Sequence, residues 1–139
     1  MHPKKAFFTD SGASMSKIKL HNWYLEHKRP LPWREHPEPY ETWLCEIIMQ
    51  QTQIIQGTSY WERFIHRWPN FKALAGASLD EVLKEWQGLG YYSRARNLHK
   101  AAKIIHSEYP NGHPTEFDEW LALPGVGHYT AAAICSICF

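Results

Sequence analysis

The helical period is written along nearly all of this chain, and no stretch of useful length alternates apolar and polar residues as a half-buried strand would. From Glu41 to Ile55 apolar side chains fall at 43/44, 47/48 and 54/55, which predicts one helix with a wide buried face. Tyr60, Trp61, Phe64, Ile65 and Trp68 form a similar stripe, closed by Pro69. Ser78 and Glu81 read as a capping box that opens a helix at Leu79, and Gly88 supplies its stop. Ser93 to Ser107 is a longer helix carrying Leu98, Ala101, Ala102 and Ile105. Thr115 and Asp118 offer a weaker version of the cap before the next short helix, and a last helix resumes at His128. With residues 16–27, stopped by Pro30 and Pro32, this gives about six or seven helices joined by short turns. The fold class is all-α, a helical bundle.

A chain of 139 residues suits one domain. Folding at this size buries roughly two-thirds of the surface that the unfolded chain exposes. Seven tryptophans favour a packed globule over a disordered segment. A formal charge of +1 gives no bulk reason to expect a nucleic-acid partner. Locally, Arg94, Arg96, Lys100 and Lys103 with His99 make a small positive stripe, read either as a phosphate contact or as a solvated helix face. Cys45, Cys135 and Cys138 sit in apolar surroundings and read as reduced, buried thiols of a cytoplasmic protein, not as a metal site. Residues 1–15 have no apolar run and are expected to form a loose tail, neither a signal peptide nor a membrane helix.

Three segments carry possible chemistry. Leu123-Pro124-Gly125-Val126-Gly127 between two short helices is the pattern of a helix-hairpin-helix element around residues 116–139. Its glycines permit a tight turn, and the free amides of the turn and of the following helix start, at His128, can hold a phosphate without reading sequence. The plainer alternative is an ordinary glycine turn. Glu46 is a carboxylate in one of the most apolar stretches of the chain, where burial would raise its pKa and suit it to general-acid work. Spacing also puts Glu46, Gln50 and Gln53 on one polar stripe, which favours a solvated glutamate. Gln50-Gln51-Thr52-Gln53 and Gly90-Tyr91-Tyr92 bring amide or aromatic groups near helix ends, where such groups can enter a base stack.

Together, LPWREHPEPYETWLCEIIMQQTQI, LDEVLKEWQGLGYYSRARNLHKAA and LPGVGHYTAAAI resemble three consecutive blocks of the MutY family of adenine DNA glycosylases, in family order. The resemblance implies base-excision repair: removal of adenine mispaired with 8-oxoguanine or guanine, on a six-helix-barrel type of fold. It implies that Glu46 protonates adenine at N7 and that Tyr129 hydrogen-bonds near the sugar. It further implies an adenine pocket lined by Arg29, Trp33 and Met49, and a probe of the base stack made by Gln51 and Tyr91. Residues 123–128 would hold the strand. Endonuclease III, a relative of the same fold, has a nucleophilic lysine at the place of Tyr129, so a monofunctional glycosylase is the better fit. Mismatch thymine or uracil glycosylases, and a non-enzymatic DNA-binding module, are the other readings.

The same comparison implies parts that this sequence does not contain. The family's catalytic aspartate lies in a DGNV-like segment, and Asp10, Asp80 and Asp118 occur in the wrong blocks. A [4Fe-4S] cluster is expected in the full-length family member, and Cys135 and Cys138 do not match its ligand positions. Residues 16–139 are therefore expected to be an incomplete glycosylase domain, an amino-terminal fragment with little activity of its own. The expected partner is double-stranded DNA bearing the mispair, bound by a monomer with no membrane association in the bacterial cytoplasm.

Overall fold

A computed structural model describes residues 38–139; the expected tail at 1–15 and the helix at 16–27 lie outside them. Among the described residues every regular element is helical: α1 Pro39–Met49, α2 Ile54–Arg67, α3 Phe71–Gly76, α4 Leu79–Trp86, α5 Tyr92–Glu108, α6 Phe117–Leu121 and α7 His128–Cys138. None of them is long and apolar enough to cross a membrane.

Helix α1 is central. Pro39 occupies its first turn, where the missing N–H costs nothing, and the helix packs against α2, α5 and α7. Residues 42–49 are buried without interruption, as expected of a helix surrounded by others. Trp43 lies against Phe71 of α3 at 5.0 Å between ring centroids, and Phe71 extends the cluster to Trp120 of α6 at 6.5 Å. Phe64 of α2 meets Trp86 of α4 edge to face at 6.0 Å. Buried rings therefore link α1 with α3 and α6, and α2 with α4. The Tyr40 hydroxyl donates to the Trp68 carbonyl at 2.5 Å and the Trp61 indole to that of Glu41 at 3.0 Å, whereas the buried indole N–H groups of Trp43 and Trp120 have no hydrogen-bond partner among the described residues.

The punctuation holds at α4, where Ser78 and Glu81 exchange both bonds of a capping box and Gly88 stops the chain with φ +101°. Three expectations need correction. The helix predicted over Glu41–Ile55 is two helices, parted at Gln50–Gln53, and Gln51 takes a left-handed φ of +55°. Residues 47/48 and 54/55 are two helical turns apart, so the break preserves the phase of the apolar pattern and leaves no mark on it. The segment Phe71–Gly76, passed over in the sequence, forms α3, capped by Asn70, whose side chain accepts from the Ala73 N–H at 2.8 Å. At α6 the bracing comes from Glu119, whose carboxylate accepts from the N–H groups of Thr115 and Glu116, rather than from Thr115 and Asp118.

Candidate functional site

The carboxyl of Glu46 is inside the protein, with 4 % of the residue exposed. The polar stripe through 46, 50 and 53 pointed to a solvated glutamate, which its burial overturns. Gln53 belongs to the next helix's N-cap, and α1 has neighbours on every side. Across from Glu46 stands the first turn of α7. Burial, and after it the negative charge of Glu46, pushes the Tyr129 phenol up to about 12, so both groups share one electrostatic environment. One turn beyond Glu46, Gln50 donates from Nε2 to the Thr130 hydroxyl at 3.1 Å and ties the end of α1 to the start of α7. Thr130 is a buried partner that the motifs did not single out. Met49 shares the Glu46 side of α1 by its i+3 spacing, is buried, and rests against Gly57 of α2, where a Cβ would fall 2.5 Å from its sulfur.

Two turns flank this region. Gln51 and Tyr91 are exposed, and they are the two non-glycine residues with positive φ among those described, at +55° and +49°. Such backbone is uncommon outside glycine and persists where the surroundings enforce it. For Tyr91 the enforcement is visible: Gly88 and Gly90 precede it with φ +101° and +79°, and the Trp86 indole donates to the Gly90 carbonyl at 2.9 Å.

Residues 123–127 form the expected hairpin between α6 and α7. Leu123 and Val126 are buried and closed by a Val126 N–H to Leu123 carbonyl bond of 3.1 Å, with Pro124 between them partly buried. Gly125 needs its left-handed φ of +81°, and a Cβ there would lie 3.1 Å from that of Asn97. Gly127, His128 and Tyr129 are exposed, and no described side chain caps α7, so its first-turn amides are available to an anion. Phe117 and His128 bridge the two helices, ring centroids 6.2 Å apart.

Other expected groups stay apart. Arg29 and Trp33 lie outside the described residues. Arg96, Lys100 and Lys103 are exposed along α5, whereas Arg94 turns inward to backbone carbonyls and leaves the stripe. Cys45, Cys135 and Cys138 are free thiols, and no described group of three or more His, Cys, Asp or Glu can hold a metal. They do not fit the ligand set of an iron-sulfur cluster. Asp80 and Asp118 are exposed on α4 and α6.

Residues 44–136 match the family model described as HhH-GPD superfamily base excision DNA repair protein. The adenine DNA glycosylase of Buchnera aphidicola subsp. Baizongia pistaciae is 44% identical over 119 residues, covering 85% of this chain and 34% of the relative. That of Homo sapiens is 43% identical over 130 residues, covering 86% and 24%. The chain thus spans about a third or less of the length of these curated relatives. Among solved structures, a thermostable thymine-DNA glycosylase superposes with a TM-score of 0.69 at 25% identity, covering 88% of this chain and 57% of that one. An endonuclease III from a non-covalent DNA complex gives 0.69 at 22%, covering 90% and 61%, and shares the fold. The family match begins in the middle of α1 and ends near the close of α7, so it takes in the buried glutamate, both strained turns and the hairpin together; this chain belongs to the HhH-GPD superfamily of base excision DNA repair proteins.

Proposed function

We propose that this chain contributes the adenine-binding and general-acid half of an adenine DNA glycosylase acting on adenine opposite 8-oxoguanine or guanine in duplex DNA. The carrying observation is the burial of Glu46 beside the first turn of α7, in the electrostatic reach of Tyr129. A carboxyl group sheltered from water can retain a proton near neutrality and deliver it to a base drawn out of the stack. Both of these relatives carry the name adenine DNA glycosylase, which supports the choice of base.

In this reading the hairpin amides of residues 125–128 grip the phosphate backbone without reading sequence. Gln51 and Tyr91 probe the stack, and the extruded adenine lies against Met49; Arg29 and Trp33 are assigned to the same pocket by the family resemblance alone. Glu46 protonates N7, the glycosidic bond breaks with its electrons going to the base, Tyr129 lies beside the sugar as positive charge develops, and water then adds at the sugar carbon and gives up a proton. That charge calls for a second carboxylate. Asp80 and Asp118 are not candidates, so residues 1–139 alone are expected to excise adenine slowly. A [4Fe-4S] cluster, which the family resemblance implies, would not be held by Cys45, Cys135 and Cys138, since they do not make up a four-cysteine ligand set. The protein acts as a monomer in the bacterial cytoplasm.

Single-turnover excision on an adenine:8-oxoguanine duplex tests the reading. Glu46→Gln in the full-length gene product should lower the rate by roughly 10²- to 10⁴-fold, the usual range for a lost general acid, with duplex affinity kept. An undiminished rate removes Glu46 from the mechanism, and rapid excision by the 139-residue chain removes the need for a further carboxylate.

A further inference from the structure

Arg94 is the third residue of α5, where a positive charge opposes the helix dipole and would ordinarily be disfavoured. Its partners explain the position. The two Nη1 protons are shared among the carbonyl oxygens of Ile47 and Ile48, each at 3.1 Å, and that of Gln50, all at the carboxy-terminal end of α1, where only Ile47 also accepts a backbone bond, from the Gln50 N–H at 3.3 Å. Nη2 donates to the Thr52 hydroxyl at 3.3 Å and reaches the Leu89 carbonyl at 3.5 Å. The guanidinium lies 4.9 Å from the centre of the Trp86 ring, and the indole of that residue holds the Gly90 carbonyl. One planar group thus touches the turn before Thr52 and the turn before Tyr91, the two places among the described residues where a non-glycine residue has positive φ.

We infer that Arg94 is a positioning residue that locks the Gln51 and Tyr91 turns to one another, so that the two exposed side chains meet the base stack as a single rigid probe. This rests on the proposed reading of those side chains as stack probes. A lysine would retain the charge at this site. It would not span both turns, because a compact ammonium lacks the planar fork that satisfies several carbonyls at once.

The test has two arms on the purified protein. In free protein, amide hydrogen exchange followed by mass spectrometry should show Arg94→Lys raising exchange in residues 47–53 and 86–91 together, with α7 unchanged. The expected rise is about tenfold, the fold-change corresponding to one lost charge-assisted hydrogen bond. In the second arm, affinity for a matched duplex should stay constant while preference for an adenine:8-oxoguanine duplex falls about tenfold on the same basis. Extrusion, read by 2-aminopurine beside the mispaired adenine, should weaken in parallel. Thr52→Val, which removes one partner and keeps the core, should give a smaller change of the same pattern in both turns, and it serves where Arg94→Lys does not fold. Exchange rising in one turn only, in neither, or uniformly with a lower melting temperature overturns the lock. Coupled exchange in a wild-type protein that shows no mispair preference upholds the lock and overturns the stack-probe reading instead.

Discussion

Gly125 and Gly127 stand two residues apart in one turn, under different constraints. Gly125 has φ +81° and the Cβ of Asn97 at its back, so any side chain there is strained and crowded. Gly127 has an ordinary φ of −99°, and a Cβ on it would meet nothing within 4 Å. Gly125→Ala should therefore cost about 1–2 kcal/mol of stability, the usual penalty for a left-handed alanine. Gly127→Ala should stay within about 0.5 kcal/mol of wild type. If the open space over Gly127 is where a phosphate settles, Gly127→Ala should nonetheless weaken duplex binding and reduce its salt dependence. Urea melts and salt titrations of both variants check the pair, and a Gly127→Ala protein that binds as well as wild type would move the phosphate elsewhere. The motif was legible as letters, but which glycine serves the backbone and which leaves room for a ligand depends on φ and on Asn97, a contact from another helix. Glu46 teaches the same lesson: helical spacing sees only its own helix and assigned the residue to water, while burial follows from the neighbours of α1.

At the scale of elements, strong end signals were readable where a long apolar stripe accompanied them. The capping box at Ser78 and the long helix α5 are of this kind. Helix α3 has six residues, too few for a period to repeat, yet Asn70 after Pro69 is a start signal and Gly76 closes the run. Its stability comes from packing on α5 and from the cap. Asn70→Ala should then cost about 1 kcal/mol, with Asn70→Asp close to wild type because a carboxylate can accept the same Ala73 N–H. Thermal melts of the two variants separate a cap from a merely exposed amide, since equal losses in both would place the effect elsewhere. The break between α1 and α2 was hidden for the opposite reason: its apolar pattern stays in phase across four residues. An arginine at the wrong end of a helix dipole was the trace it left in the sequence, because Arg94 is there to serve the carbonyls that the break exposes.

For the whole molecule, the aromatic content was a sound guide to a packed all-α core, and the order of the three blocks was a sound guide to the family. What could not be read was how α1 and α7 combine their buried groups. Cys45 and Cys138 belong to these two helices and are both buried. Burial chiefly, with the charge of Glu46 adding to it, raises the Cys45 thiol well above its ordinary value. Burial also raises Cys138 to about 11 from 9. Folded-state values above the unfolded ones mean that the folded protein favours the protonated thiols. The contribution of Cys138 is complete below about pH 9 and is lost as pH rises toward 11, where the unfolded chain releases a proton that the core retains. Tyr129, raised to about 12 from 10, extends the loss to higher pH. Melting temperature should consequently fall from pH 9 upward, and Cys138→Ala should flatten the fall between pH 9 and 11 even if its melting temperature starts lower. Parallel curves for the two proteins would mean that Cys138 ionises in the folded state as easily as in the unfolded one, and that the packing of α7 on α1 is looser than its buried residues imply.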